Sequence, residues 1–397
     1  MSDLATRLIH HPYRPPEGFE AVAPGVHKAS TVIFPNVQAL RTQEWKDKSG
    51  YTYGLHGTPT SFILEERIAT VEGGLFCVLV PSGLSAVALV DMAFLRQGDE
   101  LLIPDNAYGP NKAFATAELS AWGITHRYYD PQIPADLAAK ISTATRLVWL
   151  EAAGSITLEY PDLPALVAVV KQANAAREPS ARAVLTALDN TWGAGIAFNA
   201  FDMGVDVSMQ ALTKYPSGGA DVLMGSVVTR DETLHQQVLM THMRLGLGVS
   251  GNDVELVLRG LSTMALRYAA QDAATRELAS WMQGQPGVAQ VLHPTLSGSP
   301  GHAVWQRDAK AAACLFSVVF EPGIAQRQID AFCDSLKLFK LGWSWAGPIS
   351  LCAPYDVPAI RTTRWPHAGG LVRFAVGLEA VDDLRADLAQ ALPALFA

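Results

Sequence analysis

The sequence predicts an α/β protein with a mostly parallel sheet and a smaller C-terminal α/β unit. Three observations carry this. Short apolar, β-branched runs alternate with helical stretches. Each run stops at polar or charged residues, as strands do at the carboxyl edge of a parallel sheet, where ligands bind. The chain has 397 residues, 49% hydrophobic and 17% charged, enough for two or three domains and a large core.

Residues 1–60 are rich in Pro, Gly, His and aromatics and lack helical periodicity, which predicts an irregular arm lying over another surface. From Ser61, the residues Phe62, Leu64, Ile68 and Val71 fit one helical face that ends at Gly73-Gly74. Phe76 to Val80 reads as a buried strand. Pro81-Ser82-Gly83 and an Ala-rich helix through Phe94 follow. Glu100 to Ile103 runs into Pro104-Asp105-Asn106, Arg146 to Leu150 into Glu151, Ala183 to Leu188 into Asp189, and Val205 to Gln210 towards Lys214, before a further apolar run from Leu223 to Val228. Beyond about residue 255 the sequence becomes helix-rich, with strand-like segments at 313–320 and 371–376. The expected organisation is an arm at 1–60, a large domain at 61–255 and a C-terminal domain at 256–397.

Composition excludes several function classes. A formal net charge of −8 without a basic cluster argues against nucleic acid as a partner. No apolar run approaches ~20 residues and Met1 to His10 has no apolar core, so neither a membrane span nor a signal peptide is expected. Cys77, Cys314, Cys333 and Cys352 form no C-x-x-C pair and read as reduced, buried thiols, which suits the cytoplasm. His10, His11 and the other histidines lack ligand spacing, so no catalytic metal is expected.

Three features bear on chemistry. Asp189 ends an apolar strand, Lys214 follows another, and Pro81-Ser82-Gly83-Leu84 forms a strand–Gly–helix junction whose free N–H groups suit a phosphate. Taken alone, each has a plain explanation: a capping Asp, a surface lysine, a tight turn. Together they are what pyridoxal phosphate requires, with the lysine forming the aldimine, the carboxylate pairing with the pyridine nitrogen and the helix end holding the phosphate.

Gly57-Thr58-Pro59-Thr60, Pro81-Ser82-Gly83, Asp105-Asn106-Ala107-Tyr108, Asp189-Asn190-Thr191-Trp192, Gln210 to Tyr215, and Gly370 to Phe374 occur in this order. The set resembles the Cys/Met-metabolism family of fold-type-I pyridoxal-phosphate enzymes, from about Thr6 to Leu392. The segments Glu151 to Glu159 and Trp343-Ser344-Trp345 look most like its cystathionine β-lyase branch. The resemblance implies an aspartate-aminotransferase-like three-layer sandwich. It also implies a homotetramer built as a dimer of dimers, with sites at subunit interfaces and a small amino acid as substrate.

The same resemblance implies residue roles. Lys214 carries the cofactor and shuttles protons, Asp189 keeps the pyridine nitrogen protonated, and Tyr108 stacks on the ring. Ser82, Gly83, Leu84 and Thr213 hold the phosphate. Tyr53 reaches a neighbouring subunit's site. Arg373 grips the substrate α-carboxylate as a bidentate partner, and Ser344 and Trp345 line that pocket. The implied reaction is β-elimination of a thiol, cystathionine giving homocysteine, pyruvate and ammonia, through an α-carbanion formed by the freed Lys214 amine.

Two positions depart from the family pattern. Leu55 stands where an arginine usually reaches the neighbour's phosphate. His56 either replaces that contact or is only a turn residue. Ile349 stands where γ-type enzymes usually carry a glutamate, which lowers the expectation of γ-chemistry. Cleavage of cysteine or cysteine conjugates, another activity of the family (γ-lyase, γ-synthase or sulfhydrylase), and a non-catalytic cofactor-holding regulator remain as alternatives.

Overall fold

The computed structural model describes residues 3–10, 16–19, 21–363 and 365–397. Two sheets organise them. The large sheet contains β1 (Phe76–Val80), β2 (Glu100–Pro104), β3 (Thr125–Tyr129), β4 (Thr145–Glu151), β5 (Leu185–Asp189), β6 (Val207–Ala211) and β7 (Gly225–Thr229). Its order is β1-β7-β6-β5-β4-β2-β3. The pairings among β3, β2, β4, β5 and β6 are parallel, and β7 runs antiparallel between β6 and β1. The second sheet contains β8 (Val288–Leu292), β9 (Leu315–Phe320), β10 (Lys340–Leu341), β11 (Leu351–Tyr355) and β12 (Leu371–Ala375), ordered β10-β11-β12-β9-β8.

Side chains alternate across each strand, and the core follows that alternation. Leu147 and Trp149 of β4 join one buried cluster, while Val148 and Leu150 join the cluster on the opposite face. All four are almost fully buried, each contributing roughly 1.5–3 kcal/mol by removal from water. Helices cover both faces, which produces the expected three layers. A third cluster, with Phe316, Phe332 and Phe374, underlies the second sheet.

Local signals explain the helix ends. The helix Pro59–Glu72 starts two residues before Ser61, because Thr58 and Ser61 form a reciprocal capping box and Pro59 occupies the first turn. It ends where Gly73 adopts a left-handed conformation. The helix Gly83–Phe94 is capped by Ser82, whose hydroxyl accepts from the Ser85 N–H.

β3 is absent from the runs picked out above. Its sequence Thr-His-Arg-Tyr-Tyr is polar because it forms the sheet edge, where only Tyr129 is buried. Residue 255 lies within the helix Gly251–Leu261. The described part of 1–60 is mostly loop, with short helices at Leu4–Ile9 and Val37–Thr42. His11 lies outside the described residues. No helix among the described residues is long and apolar enough to cross a membrane.

Candidate active site

Neighbouring strands of the parallel sheet end at the same level. Glu151 and Asp189 are direct register partners at the ends of β4 and β5. β6 ends at Ala211, and the following turn carries Thr213 and Lys214. These ends, the start of the Gly83 helix and the second sheet enclose a cavity of about 670 Å³.

Lys214 Nζ donates to Ser344 Oγ at 2.7 Å and lies 5.4 Å from the Trp345 ring centroid. Among the described residues it has no ion-pair partner. Burial, reinforced by the positive charge of Arg373, pushes its pKa down to about 8. Asp189 accepts the Thr191 N–H at 3.0 Å, and burial raises its pKa. It too lacks a cation at ion-pair distance among the described residues. A cationic pyridine nitrogen is the partner that such a carboxylate is missing.

Arg373 sits on β12, only 7% exposed, and reaches the cavity from the second sheet. Its Nη1 donates to the Ser155 carbonyl at 2.9 Å, and its guanidinium lies 5.3 Å from the Tyr355 ring. Burial lowers its pKa, and it faces no carboxylate at ion-pair distance among the described residues. Tyr108 lines the mouth at 38% exposure. Its N–H donates to the Glu151 carboxylate at 2.8 Å, which fixes the backbone from which its ring projects. Burial, together with the negative charges of Asp189 and Glu151, raises its hydroxyl pKa.

The phosphate end fits equally well. Ser82 caps the N3 position, so the N–H groups of Gly83 and Leu84 have no partner within their helix. A Cβ at Gly83 would meet Ala211 Cβ at 2.6 Å, and one at Gly225 would meet the Ser82 carbonyl at 2.4 Å. Glycine therefore lets this helix end press against the strand that leads to Lys214. Thr213 lines the same end, its hydroxyl hydrogen-bonded to the Met224 backbone.

The single chain thus gathers Lys214, Asp189, Tyr108, Ser344, Trp345 and Arg373 around the cavity, with Ser82, Gly83, Leu84 and Thr213 at the end where the Gly83 helix begins. Tyr53 and His56 are not brought there. Tyr53 bridges to Thr31 and is 46% exposed. His56 stacks on Trp45 at 4.2 Å and hydrogen-bonds Thr52 at 2.7 Å. Leu55 and His56 line a separate cavity of about 240 Å³ with Lys28, Lys48 and His242. Ile349 is exposed and not part of the main cavity wall.

Sequence reasoning missed a charged wall. Asp105 accepts from Arg361, from the backbone N–H groups and hydroxyls of Thr362 and Thr363, and from Lys112. Arg361 also donates to Glu159 at 3.0 Å, and Asn106 donates to the same carboxylate. Burial alone would raise the pKa of Asp105, yet these donors hold it well below the usual carboxylate range. Glu151 also had no assigned role; its signal was a strand end level with Asp189.

A half-buried lysine with a lowered pKa, a carboxylate with no ionic partner among the described residues and a helix end with free N–H groups suit a phosphorylated pyridine aldehyde. The chain belongs to the family described as "Cys/Met metabolism PLP-dependent enzyme", which residues 5–393 match. Its cofactor is pyridoxal phosphate. It is 37% identical to a putative cystathionine β-lyase of Rhizobium johnstonii, over 97% of this chain and 94% of that protein. It is 36% identical to cystathionine β-lyase MetC of Escherichia coli, over 97% of each. The crystal structure of cystathionine γ-synthase from Xanthomonas oryzae superposes with a TM-score of 0.88 at 29% identity, over 100% of this chain and 99% of that one.

Proposed function

We propose that this enzyme is a carbon–sulfur β-lyase that converts cystathionine and water to homocysteine, pyruvate and ammonia, as a step in methionine biosynthesis. The observation that carries the proposal is the pairing, in one cavity, of a neutralisable amine at Lys214 with an unanswered guanidinium at Arg373. The similarity to proteins named cystathionine β-lyases supports β- over γ-chemistry.

Arg373 binds the substrate α-carboxylate through two parallel N–H donors. That contact aims the α-hydrogen at Lys214 Nζ, which the Ser344 hydroxyl orients. With its pKa near 8, Lys214 is partly neutral at neutral pH and removes the α-proton. The bound pyridoxal phosphate supplies the electron sink for the pair left behind, and Asp189 holds that sink in its cationic form. Lys214 then returns the proton to the departing sulfur as the C–S bond breaks. The released enamine hydrolyses to pyruvate and ammonia.

The active form proposed is a homotetramer, a dimer of dimers, with Tyr53 completing a neighbour's site. The exposed apolar residues Phe19, Val22, Ile33, Val37 and Leu40 of the same N-terminal segment support this. Four free, buried thiols suit a cytoplasmic enzyme.

One observation favours a second reading. The other cations among the described residues of the cavity wall, Lys112 and Arg361, are both engaged by carboxylates, which leaves no free cation among those described residues for the distal carboxylate of cystathionine. Cysteine or a cysteine conjugate needs none.

The test is an absorbance spectrum followed by product analysis with L-cystathionine, using Lys214→Ala as control. A near-visible band with Lys214-dependent pyruvate supports the β-lyase. A band with 2-oxobutyrate or a replacement product favours γ-chemistry. Pyruvate from cysteine conjugates alone favours the second reading. Cofactor binding without turnover favours a regulatory role.

A further inference from the structure

A second carboxylate, with no cation at ion-pair distance among the described residues, lies behind Asp189, on the opposite face of the sheet. Glu72 is the last residue of the helix Pro59–Glu72 and is fully buried. Its two oxygens accept from Asn190 Nδ2 at 3.1 and 3.2 Å, from the Ser208 hydroxyl and from Gln210 Nε2. Asn190 directly follows Asp189 at the end of β5, and Ser208 and Gln210 belong to β6, which leads to Lys214. Glu72 therefore ties together the ends of the two strands that bear the cofactor's carboxylate and its lysine.

Stability alone does not explain this choice of residue. A helix C-terminus disfavours negative charge, and a buried carboxylate answered only by neutral donors carries a large desolvation penalty. The amides are turned so that both NH2 groups face Glu72, while Asn190 Oδ1 and Gln210 Oε1, both buried, have no partner among the described residues. A protonated acid or a glutamine at 72 would let one amide reverse and satisfy its oxygen. The arrangement suits an acceptor without a proton. The titratable groups that face Glu72 are Asp189 from β5 and the Cys77 thiol from β1. Burial, with a smaller push from Asp189, raises its pKa to about 7 against the pull of its three donors.

We propose that Glu72 is a positioning residue for the cofactor site: it aligns Asp189 with the turn carrying Lys214, and its charge adds to that of Asp189 in holding the pyridine nitrogen protonated. The inference rests on the assignment of Asp189 to that nitrogen. The cation it requires arrives with the cofactor, so Glu72 is ionised in the loaded enzyme.

The experiment is a pH titration of the visible absorbance of the holoenzyme, with urea unfolding alongside. Glu72→Gln keeps the volume, and reversal of one amide accommodates it. Removing one negative charge on the order of 10 Å from the chromophore should lower the absorbance midpoint by roughly half to one pH unit. kcat should fall about tenfold with KM unchanged. Glu72→Asp, which retains the charge, should restore the midpoint. A Glu72→Gln midpoint equal to that of the parent overturns the proposal, whatever happens to stability. If that variant does not fold, Ser208→Ala removes one donor from the same carboxylate. It should move the midpoint the same way, and an unchanged midpoint again overturns the proposal. Asp189→Asn is the control: if it leaves the midpoint in place, the assignment of Asp189 fails, and that failure is distinct from failure at Glu72 alone.

Discussion

Along one wall of the cavity, Asp105, Glu159, Lys112 and Arg361 answer one another. Asp105 alone accepts five hydrogen bonds from the segment Arg361–Thr363, counting each donor atom once. Across the same cavity, Lys214, Asp189 and Arg373 are buried or half-buried and have no ionic partner among the described residues. The two groups share a solvent environment, so the difference lies in what each is completed by. The first is completed within the protein and fastens the segment Arg361–Thr363 to the end of β2. The second is completed by what binds.

The comparison can be broken in order of effect. Lys214→Ala should reduce kcat by about four orders of magnitude or more, while leaving the urea midpoint close to that of the parent. A collapse of stability would show that Lys214 belongs with the completed charges. Asp105→Ala should do the reverse. It removes one of the two carboxylates that answer Arg361 and the one that answers Lys112, and should cost about 3–5 kcal/mol of folding stability in urea titrations. A loss under ~1 kcal/mol would mean that the wall is not the fastening described.

Arg373→Lys keeps the charge but loses the fork. It should lower kcat/KM about thirtyfold, roughly 2 kcal/mol, mostly through KM. An effect confined to kcat would place Arg373 elsewhere than on the α-carboxylate. The smallest effect concerns pH. The rate at which the apoenzyme captures pyridoxal phosphate depends on neutral Lys214, so it should rise with pH and level off above about pH 8. An ordinary lysine would continue to gain up to about pH 10.4. Because the charge of Arg373 helps to depress that pKa, Arg373→Leu should move the plateau to higher pH. A plateau that stays in place would mean that burial alone sets it.

Legibility in the sequence followed sequence distance. Strand ends such as Asp189 and the Ser82-Gly83 junction were readable because a short apolar run and its polar terminus lie side by side. β3 was not, because an edge strand need not be apolar. The charged wall was invisible for another reason: Asp105 and Arg361 are 256 residues apart, and no local pattern links them. Glu72 looked like one more polar residue before Gly73-Gly74. Only the sheet shows that Asn190, Ser208 and Gln210 converge on it. The paired register of Glu151 with Asp189 could have been suspected, since both end apolar runs of a parallel sheet.

The glycines at 83 and 225 have a further consequence. Backbone rests nearly on backbone there, so the span between the free N–H groups of Gly83 and Leu84 and the turn of Lys214 is set by chain thickness and not by adjustable side chains. The site is a gauge of fixed length. A cofactor analogue with one carbon more or less between ring and phosphate could not reach both ends at once, and larger residues at either glycine would reset the gauge rather than merely loosen it.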